Sequence, residues 1–388
     1  MRQISVWREP GMPALIGMVV AGFSGYSLLM PIAPLWAARG GADEAGVGAV
    51  TGVFMLFTVL VQLFVPAAIR RFGWTPVLVI GLFLLGAPSL AHLLSDALPP
   101  ILALAAVRGA GFAVLTVCGS SAVAELVDPA RRGRAIGAFG LGIAGPQVLL
   151  LPAAPWIAEH LGAWFVFALA TLPLVGIAFA VPLGRRLDAL PPHPEPEHAH
   201  RGVRRYVGLL PPMLLLLGVT LAGGALITFV PQFGVSALDA MAGLLLLTGL
   251  AALSRWGVGH VADRFGSRRI QWPFVLITTG GMALIAWSVA AEGRTGALLG
   301  GMAMVGIAYG ALQNLTLGVA FEAVPRRDHV VASAVWNIGF DTGTGIGAVV
   351  VGALASAFAF PPALLFAAAL SLLTLPLAFV GRRSPAAG

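Results

Sequence analysis

Gly259-His260-Val261-Ala262-Asp263-Arg264-Phe265-Gly266-Ser267-Arg268-Arg269 is a charged hairpin set between two long apolar segments. A worn copy, Pro66-Ala67-Ala68-Ile69-Arg70-Arg71-Phe72-Gly73-Trp74-Thr75, lies 193 positions earlier by register. Two such hairpins in one apolar chain predict a duplicated helical bundle, an arrangement that suits the movement of solutes.

The surrounding composition says where that bundle lives. The 388 residues are 58% hydrophobic and 10% charged, whereas soluble domains carry about 25% charged residues. Many apolar runs exceed the ~20 residues that a bilayer core demands of a helix. In lipid only helices and closed barrels satisfy their own backbone. Barrel strands alternate, and these runs are continuous and rich in Leu, Ala, Val and Gly, so helices are expected. The net charge of +7 comes from Arg without any Lys. These Arg residues sit in short loops, which points to membrane topology and away from nucleic acid. The single cysteine, Cys118, excludes an intrachain disulfide and any CxxC metal or redox site. The first apolar run continues to Trp36, too long for a signal-peptide core, and reads as a retained span.

Twelve apolar segments follow, at about 12–37, 46–69, 76–95, 98–124, 134–158, 163–183, 207–230, 239–261, 271–291, 296–321, 329–357 and 361–381. Nineteen Arg residues fall on one side of the resulting topology, among them Arg2, Arg70, Arg71, Arg131, Arg185, Arg204, Arg264, Arg268, Arg326 and Arg382. Only Arg39 and Arg294 fall on the other, and Arg108 and Arg255 lie within spans. The bias places both termini in the cytoplasm and supports an even span count. The expected organisation is a six-helix bundle at 1–184, a cytoplasmic linker at 185–206 and a second six-helix bundle at 207–388. The linker contains His193, His198 and His200 in a Pro-rich run; it reads as a solvated connector rather than a metal site. The halves also match beyond hydropathy. At a shift of 197, Glu125 meets Glu322, Ala135 meets Ala332, Phe139 meets Trp336 and Gly142 meets Gly339. The fold class is therefore all-α integral membrane, with two pseudo-symmetric bundles related by an axis along the membrane normal.

The hairpin Gly259-x-x-x-Asp263-Arg264-x-Gly266-x-Arg268-Arg269 resembles the signature loop of the major facilitator superfamily, here between spans eight and nine. In the first-half copy the family's Gly is Pro66, its Asp is Arg70, and its trailing basic pair is Trp74-Thr75. Arg108-Gly109-Ala110-Gly111 in span four is similar to the Arg-plus-Gly motif of proton-linked members. Gly142-Ile143-Ala144-Gly145-Pro146 in span five is similar, in part, to the antiporter motif; the pair after Pro146 expected as Gly is Leu149-Leu150. The resemblance covers essentially the whole chain. It implies the twelve-span drug:proton antiporter type, working by alternating access as a monomer in the bacterial cytoplasmic membrane, with small-molecule substrate, protons and lipid as partners. No Walker sequence, metal-ligand cluster or Ser/His/Asp group is found, so neither ATP, a cofactor nor enzymatic catalysis is expected.

Ionisable side chains within a bilayer are functional suspects by default. Of sixteen acids only Asp341 lies deep in a span, about twelve residues or ~18 Å from a start near His329. It reads as a proton carrier, as a structural carboxylate held by Asn337 or Thr344, or as a contact for a cationic substrate. Arg108 lies ~15 Å from the outer end of span four. A guanidinium stays charged, so its alternatives are to tune or hydrate a proton path, to bind an anion, or to rest on backbone carbonyls. The resemblance implies a transport cavity lined by spans one, four, seven and ten. The polar or aromatic candidates there are Tyr26, Ser27, Thr116, Thr220, Thr228, Tyr309, Gln313 and Asn314. It also implies a cytoplasmic gate: Asp263 facing Arg131, Arg70 facing Asp328, and Glu125 and Glu322 joining Arg71 and Arg264. Solvated topogenic charge is the competing reading of these residues. Arg255, about two turns before the hairpin, is expected to snorkel to the same surface.

The leading functional expectation is proton-coupled efflux of a small, largely apolar or amphipathic molecule. The alternative is a proton symporter or facilitator for a sugar, amino acid or organic anion. Sparse cavity charge and the Gly-Pro motif favour efflux. The reversed charges at the gate give a direct test. Arg70→Asp and Asp328→Arg are each expected to lose transport and the double variant to recover it; a double variant as inactive as the singles removes the pairing.

Overall fold

The computed structural model describes residues 9–127, 132–190, 207–325 and 328–380. The chain divides into two compact units, Met1–Glu195 and Pro196–Gly388. Twelve helices among the described residues are long and apolar enough to cross a membrane. In the first unit they are span one (Met12–Arg39), two (Glu44–Gln62), three (Trp74–Leu94), four (Leu98–Val123), five (Gly137–His160) and six (Ala163–Asp188). In the second unit they are span seven (Val207–Gln232), eight (Ala237–Ala262), nine (Trp272–Val289), ten (Thr295–Glu322), eleven (Val331–Phe358) and twelve (Phe360–Phe379). The expected all-helical membrane architecture is what the chain adopts. Its boundaries move where local chemistry dictates. The apolar run expected at 46–69 breaks after Gln62, and Val65–Phe72 forms a separate short helix with Pro66 in its first turn. Pro there forfeits only an N–H that has no intrahelical partner. Span three tightens from an α-helix into a 3₁₀ helix over Ala87–Leu94, because Pro88 cannot donate back into the ladder.

The two hairpins share their backbone geometry although their side chains diverge. Gly73 and Gly266 both end a helix at positive φ, +85° and +82°, a conformation that costs any residue with a Cβ. The Gly73 N–H donates to Ile69 O at 2.8 Å, and the Gly266 N–H to Ala262 O at 2.7 Å. The 193-residue register thus holds at the level of hydrogen bonds. Beyond Gly73, Asp188 at the end of span six accepts from Trp74 N (2.7 Å), Thr75 N (3.2 Å) and Thr75 Oγ1 (2.8 Å). A carboxylate placed on the open amides of a helix start is favourable.

Within each unit, glycine sets how closely the spans approach. A Cβ on Gly347 would collide with Leu221 O, one on Gly343 with Thr220 Oγ1, and one on Gly224 with Thr344 O, so spans seven and eleven meet backbone to backbone. Gly310 meets Ala251 O in the same way between spans ten and eight, and Gly109 meets Phe54 O between spans four and two. In lipid this close packing drives helix association in place of a hydrophobic effect. Larger side chains complete the interior. Leu28, Ile32, Ala158 and Phe167 pack in the first unit, and Leu216, Val219, Leu312 and Trp336 in the second. Gly249, by contrast, has open space where a Cβ would go. Gly310→Ala is therefore expected to destabilise by ~1–3 kcal/mol, as overpacking does. Gly249→Ala should leave the melting temperature in detergent unchanged, and equal losses in the two variants would contradict the glycine contact.

Candidate functional site

A polar cluster among the described residues lies in the second unit, where span ten packs against spans eight and eleven. Asp341 is 5% exposed and interacts electrostatically with Tyr309 of span ten. Tyr309 and Thr344 are side-chain hydrogen-bond partners. Neither residue expected to lock the carboxyl spends its donor on it: Thr344 Oγ1 donates to Phe340 O (2.9 Å), and Asn337 Nδ2 donates to Ser333 O (3.0 Å). Both bonds are i to i−4 contacts along span eleven. Arg255 of span eight also interacts electrostatically with the Tyr309 phenol. Its Nη1 donates to Gln313 Oε1 at 3.0 Å, and its guanidinium carbon lies 6.0 Å from the Trp336 ring centroid. Asn314 Nδ2 donates to the Arg255 carbonyl at 2.9 Å, fixing span eight against span ten. Arg255 therefore does not reach for the membrane surface as expected; an amide in the neighbouring span captures it first. Trp336 is itself oriented by its Nε1 bond to Thr316 Oγ1 (3.0 Å) and stacks on Phe340 at 5.8 Å between centroids.

In the first unit the corresponding place is quieter. Gln62 Nε2 donates to Thr116 Oγ1 at 3.3 Å. The 193-residue register places Gln62 on Arg255, and the 197-residue register places Thr116 on Gln313. The same two spans are thus tied at the same level in both halves, by neutral groups in one and by a charge in the other. Likewise Phe112 takes the place of Tyr309, and stacks face to face on Tyr26 at 4.3 Å and 7°. Arg108 is 3% exposed. It donates from Nε to Leu85 O and from Nη2 to Gly25 O, both at 3.3 Å, and lies 5.6 Å from the Phe54 ring centroid. Backbone carbonyls of spans three and one therefore hold this charge. Beside it is a space of about 10 Å³, lined in part by Tyr26, Thr51, Phe54 and Arg108, with room for about one water molecule.

The remaining expected residues divide by exposure. Ser27 and Thr220 are fully buried within their own bundles; Thr220 donates to Leu216 O (3.1 Å), and Thr228 donates to Gly224 O (2.8 Å). Tyr26 and Gln313 are nearly buried, and Asn314 and Thr116 are half-buried. Among the gate residues, Arg70 is exposed, Asp328 is 9% exposed at the start of the span-eleven helix, and Glu125 is half-buried at the end of span four. Arg131 and the side chain of Asp263 lie outside the described residues, as do His193, His198 and His200 of the linker. The partner expected for Glu322 needs correction. Arg268, not Arg264, reaches it, with Nε 3.4 Å from Oε2, while Arg264 lies over the Phe265 ring at 5.3 Å. The turn at Gly266 carries Arg268 back towards span ten, which spacing along the hairpin does not reveal. Arg71, expected beside Glu125, lies over the Phe72 ring at 5.5 Å.

Sequence reasoning passed over four residues of these clusters. Gln62 was legible by applying the hairpin register to Arg255. Thr316 and Asp188 carried no signal, because their partners belong to other helices. His92 is the fourth. It is buried in span three, with Nδ1 against Pro88 O and Ser89 O and its ring 5.2 Å from that of Phe167.

The Major Facilitator Superfamily profile matches residues 14–337 and 258–388 of this chain. A search of the curated proteins finds no match. Among solved structures, a bacterial homolog of the human lysosomal transporter Spinster, in an inward-facing and unoccupied conformation, aligns with a TM-score of 0.78 at 15% identity, covering 99% of this chain and 100% of that one. The nucleoside transporter NupG aligns with a TM-score of 0.69 at 12% identity, covering 95% of this chain and 98% of that one. At these identities the structural likeness concerns the fold. Family and fold are those of membrane transporters rather than enzymes. With the profile matched along nearly its full length and twelve apolar helices in two bundles, the chain belongs to the Major Facilitator Superfamily and is a multi-pass membrane protein of the kind that moves small molecules by alternating access.

Proposed function

We infer that this transporter exports a small, largely apolar or amphipathic molecule in exchange for protons entering the cell. The observation that carries the reading is Asp341, an acid deep within span eleven, 5% exposed and beside Tyr309. A carboxyl at that depth is costly to hold charged in an apolar surround, so it gains and loses a proton as the surrounding helices change its access to water. The outward-facing state loads the proton; opening inward releases it and admits substrate. Arg108 cannot carry a proton. It acts as a fixed charge that holds spans one, three and four in register through the carbonyls of Gly25 and Leu85. The arginine bias orients the Arg-rich side to the cytoplasm, with both termini inside, in a bacterial inner membrane.

Reconstitution into liposomes with an imposed pH gradient tests this reading, using lipophilic cations, amphipathic anions, sugars and amino acids as substrates. Gradient-driven movement is expected for the wild type. Asp341→Asn should abolish it while sparing counterflow exchange, which needs no net proton movement. Wild-type transport indifferent to the gradient removes proton coupling and leaves a facilitator.

A further inference from the structure

The charge that the proton reading leaves unused is Arg255. It lies about seven residues before the end of span eight at Ala262, or ~10 Å inside at ~1.5 Å per residue. Its side of span eight is not the one that carries the large exposed apolar residues. The outward apolar face of span eight carries Leu245, Leu253 and Trp256. Arg255 instead shares the face of Val258 and Ala262, at i, i+3 and i+7, and those two pack on Ala311 and Leu315 of span ten. Yet Arg255 itself is exposed. The guanidinium therefore stands exposed on the side of span eight that packs against span ten, at a depth where an uncompensated charge is expensive.

Compensation from the protein is incomplete. Among the described residues Arg255 has no carboxylate partner; it meets the Gln313 oxygen, the Trp336 face and the electrostatic effect of Tyr309. A guanidinium has five N–H donors, and one is spent on Gln313. Because Gln313 turns its oxygen to Arg255, its NH₂ group points elsewhere and makes no hydrogen bond among the described residues. Two sets of unused donors are thus adjacent, one of them charged. Beside them Trp336, Phe340 and Tyr309 form a run of aromatic rings, with neighbouring centroids 5.8 and 5.9 Å apart.

We propose that Arg255, Gln313 and Trp336 form a binding site for an anionic amphiphile, with its carboxylate or phosphate on the Arg255 and Gln313 donors and its apolar body along the rings of Trp336 and Phe340. The inference deepens the export reading by giving its cargo a negatively charged head, and it rests on that reading only for the identity of the occupant as cargo. The same chemistry is present in anionic bilayer lipids. Recognition itself needs no gradient, so it can be measured apart from transport.

The test uses the full chain in nanodiscs of zwitterionic phosphatidylcholine, with empty nanodiscs as the blank for partitioning into lipid. Calorimetric titration with octanoate, octanol and octyltrimethylammonium compares an anion, a neutral and a cation of equal chain length. The wild type is expected to bind octanoate at least about tenfold more tightly than the other two, the scale of one charge-assisted hydrogen bond. Arg255→Gln should lose that preference, Gln313→Leu should weaken octanoate several-fold, and Arg255→Lys should keep part of the preference for the anion. Each variant is first checked for wild-type elution and melting temperature without ligand. Should Arg255→Gln not fold, the ranking of the three amphiphiles by the wild type still decides. Equal binding of octanol and octanoate, or undiminished octanoate binding by folded Arg255→Gln, overturns the site. Adding phosphatidylglycerol to the discs separates the sources. Displacement of octanoate supports the site with lipid as occupant, and no displacement supports it with free cargo. Failure of the gradient experiment with intact octanoate selectivity would remove proton-driven export and leave this site standing.

Discussion

A polar group inside hydrocarbon must find its partner within the protein, and the rest of this structure follows from that constraint. Backbone groups meet it by forming helices. Side chains meet it by the shortest route available. Thr58, Thr220, Thr228, Thr278 and Thr316 all donate to the carbonyl four residues earlier in their own helix. Groups too large or too charged for that route reach across spans, as Gln62 does to Thr116, Arg255 to Gln313 and Arg108 to Gly25 and Leu85. Glycine makes these reaches short. Where Gly109 lets span four approach Phe54, Thr58 also donates to Gly109 O at 3.1 Å. Packing and hydrogen bonding are therefore one solution rather than two.

The duplicated halves show what divergence has kept. The positive-φ glycines that end the hairpins keep register, as do the bonded pairs joining span two to four and span eight to ten. Charge has been redistributed over that frame. The second unit carries a cation, an acid and a phenol in one neighbourhood, whereas the first carries Gln62, Thr116 and stacked rings at the same level, with its own buried charge, Arg108, elsewhere on span four. The halves are alike in backbone and unlike in electrostatics. This asymmetry gathers an acid, a phenol and a guanidinium into one neighbourhood of the second unit.

Much of the fold was legible in the chain itself. Hydropathy located the twelve spans, because a bilayer rewards apolar runs of one length and penalises charge within them. The hairpins and the 197-residue register revealed the duplication. Asp341 and Arg108 stood out as ionisable groups in apolar runs, a signal that needs no tertiary information. The partners of those groups were not legible. Arg255 was expected at the membrane surface and Glu322 beside Arg264; the structure gives Gln313 to the first and Arg268 to the second. Asp188 looked like one more acid before the linker, yet it caps a helix more than a hundred residues earlier.

The sequence by itself determined which segments enter the membrane, how many there are, and that they repeat, since these depend on the free energy of transferring each segment from water to lipid. Only the tertiary structure decided which side chains meet. A hydrogen bond forms or fails over a few tenths of an ångström, and such distances are set by glycine contacts between spans distant in the chain. That Tyr309 feels both Asp341 and Arg255 is a consequence of that packing, and no local pattern in the chain encodes it.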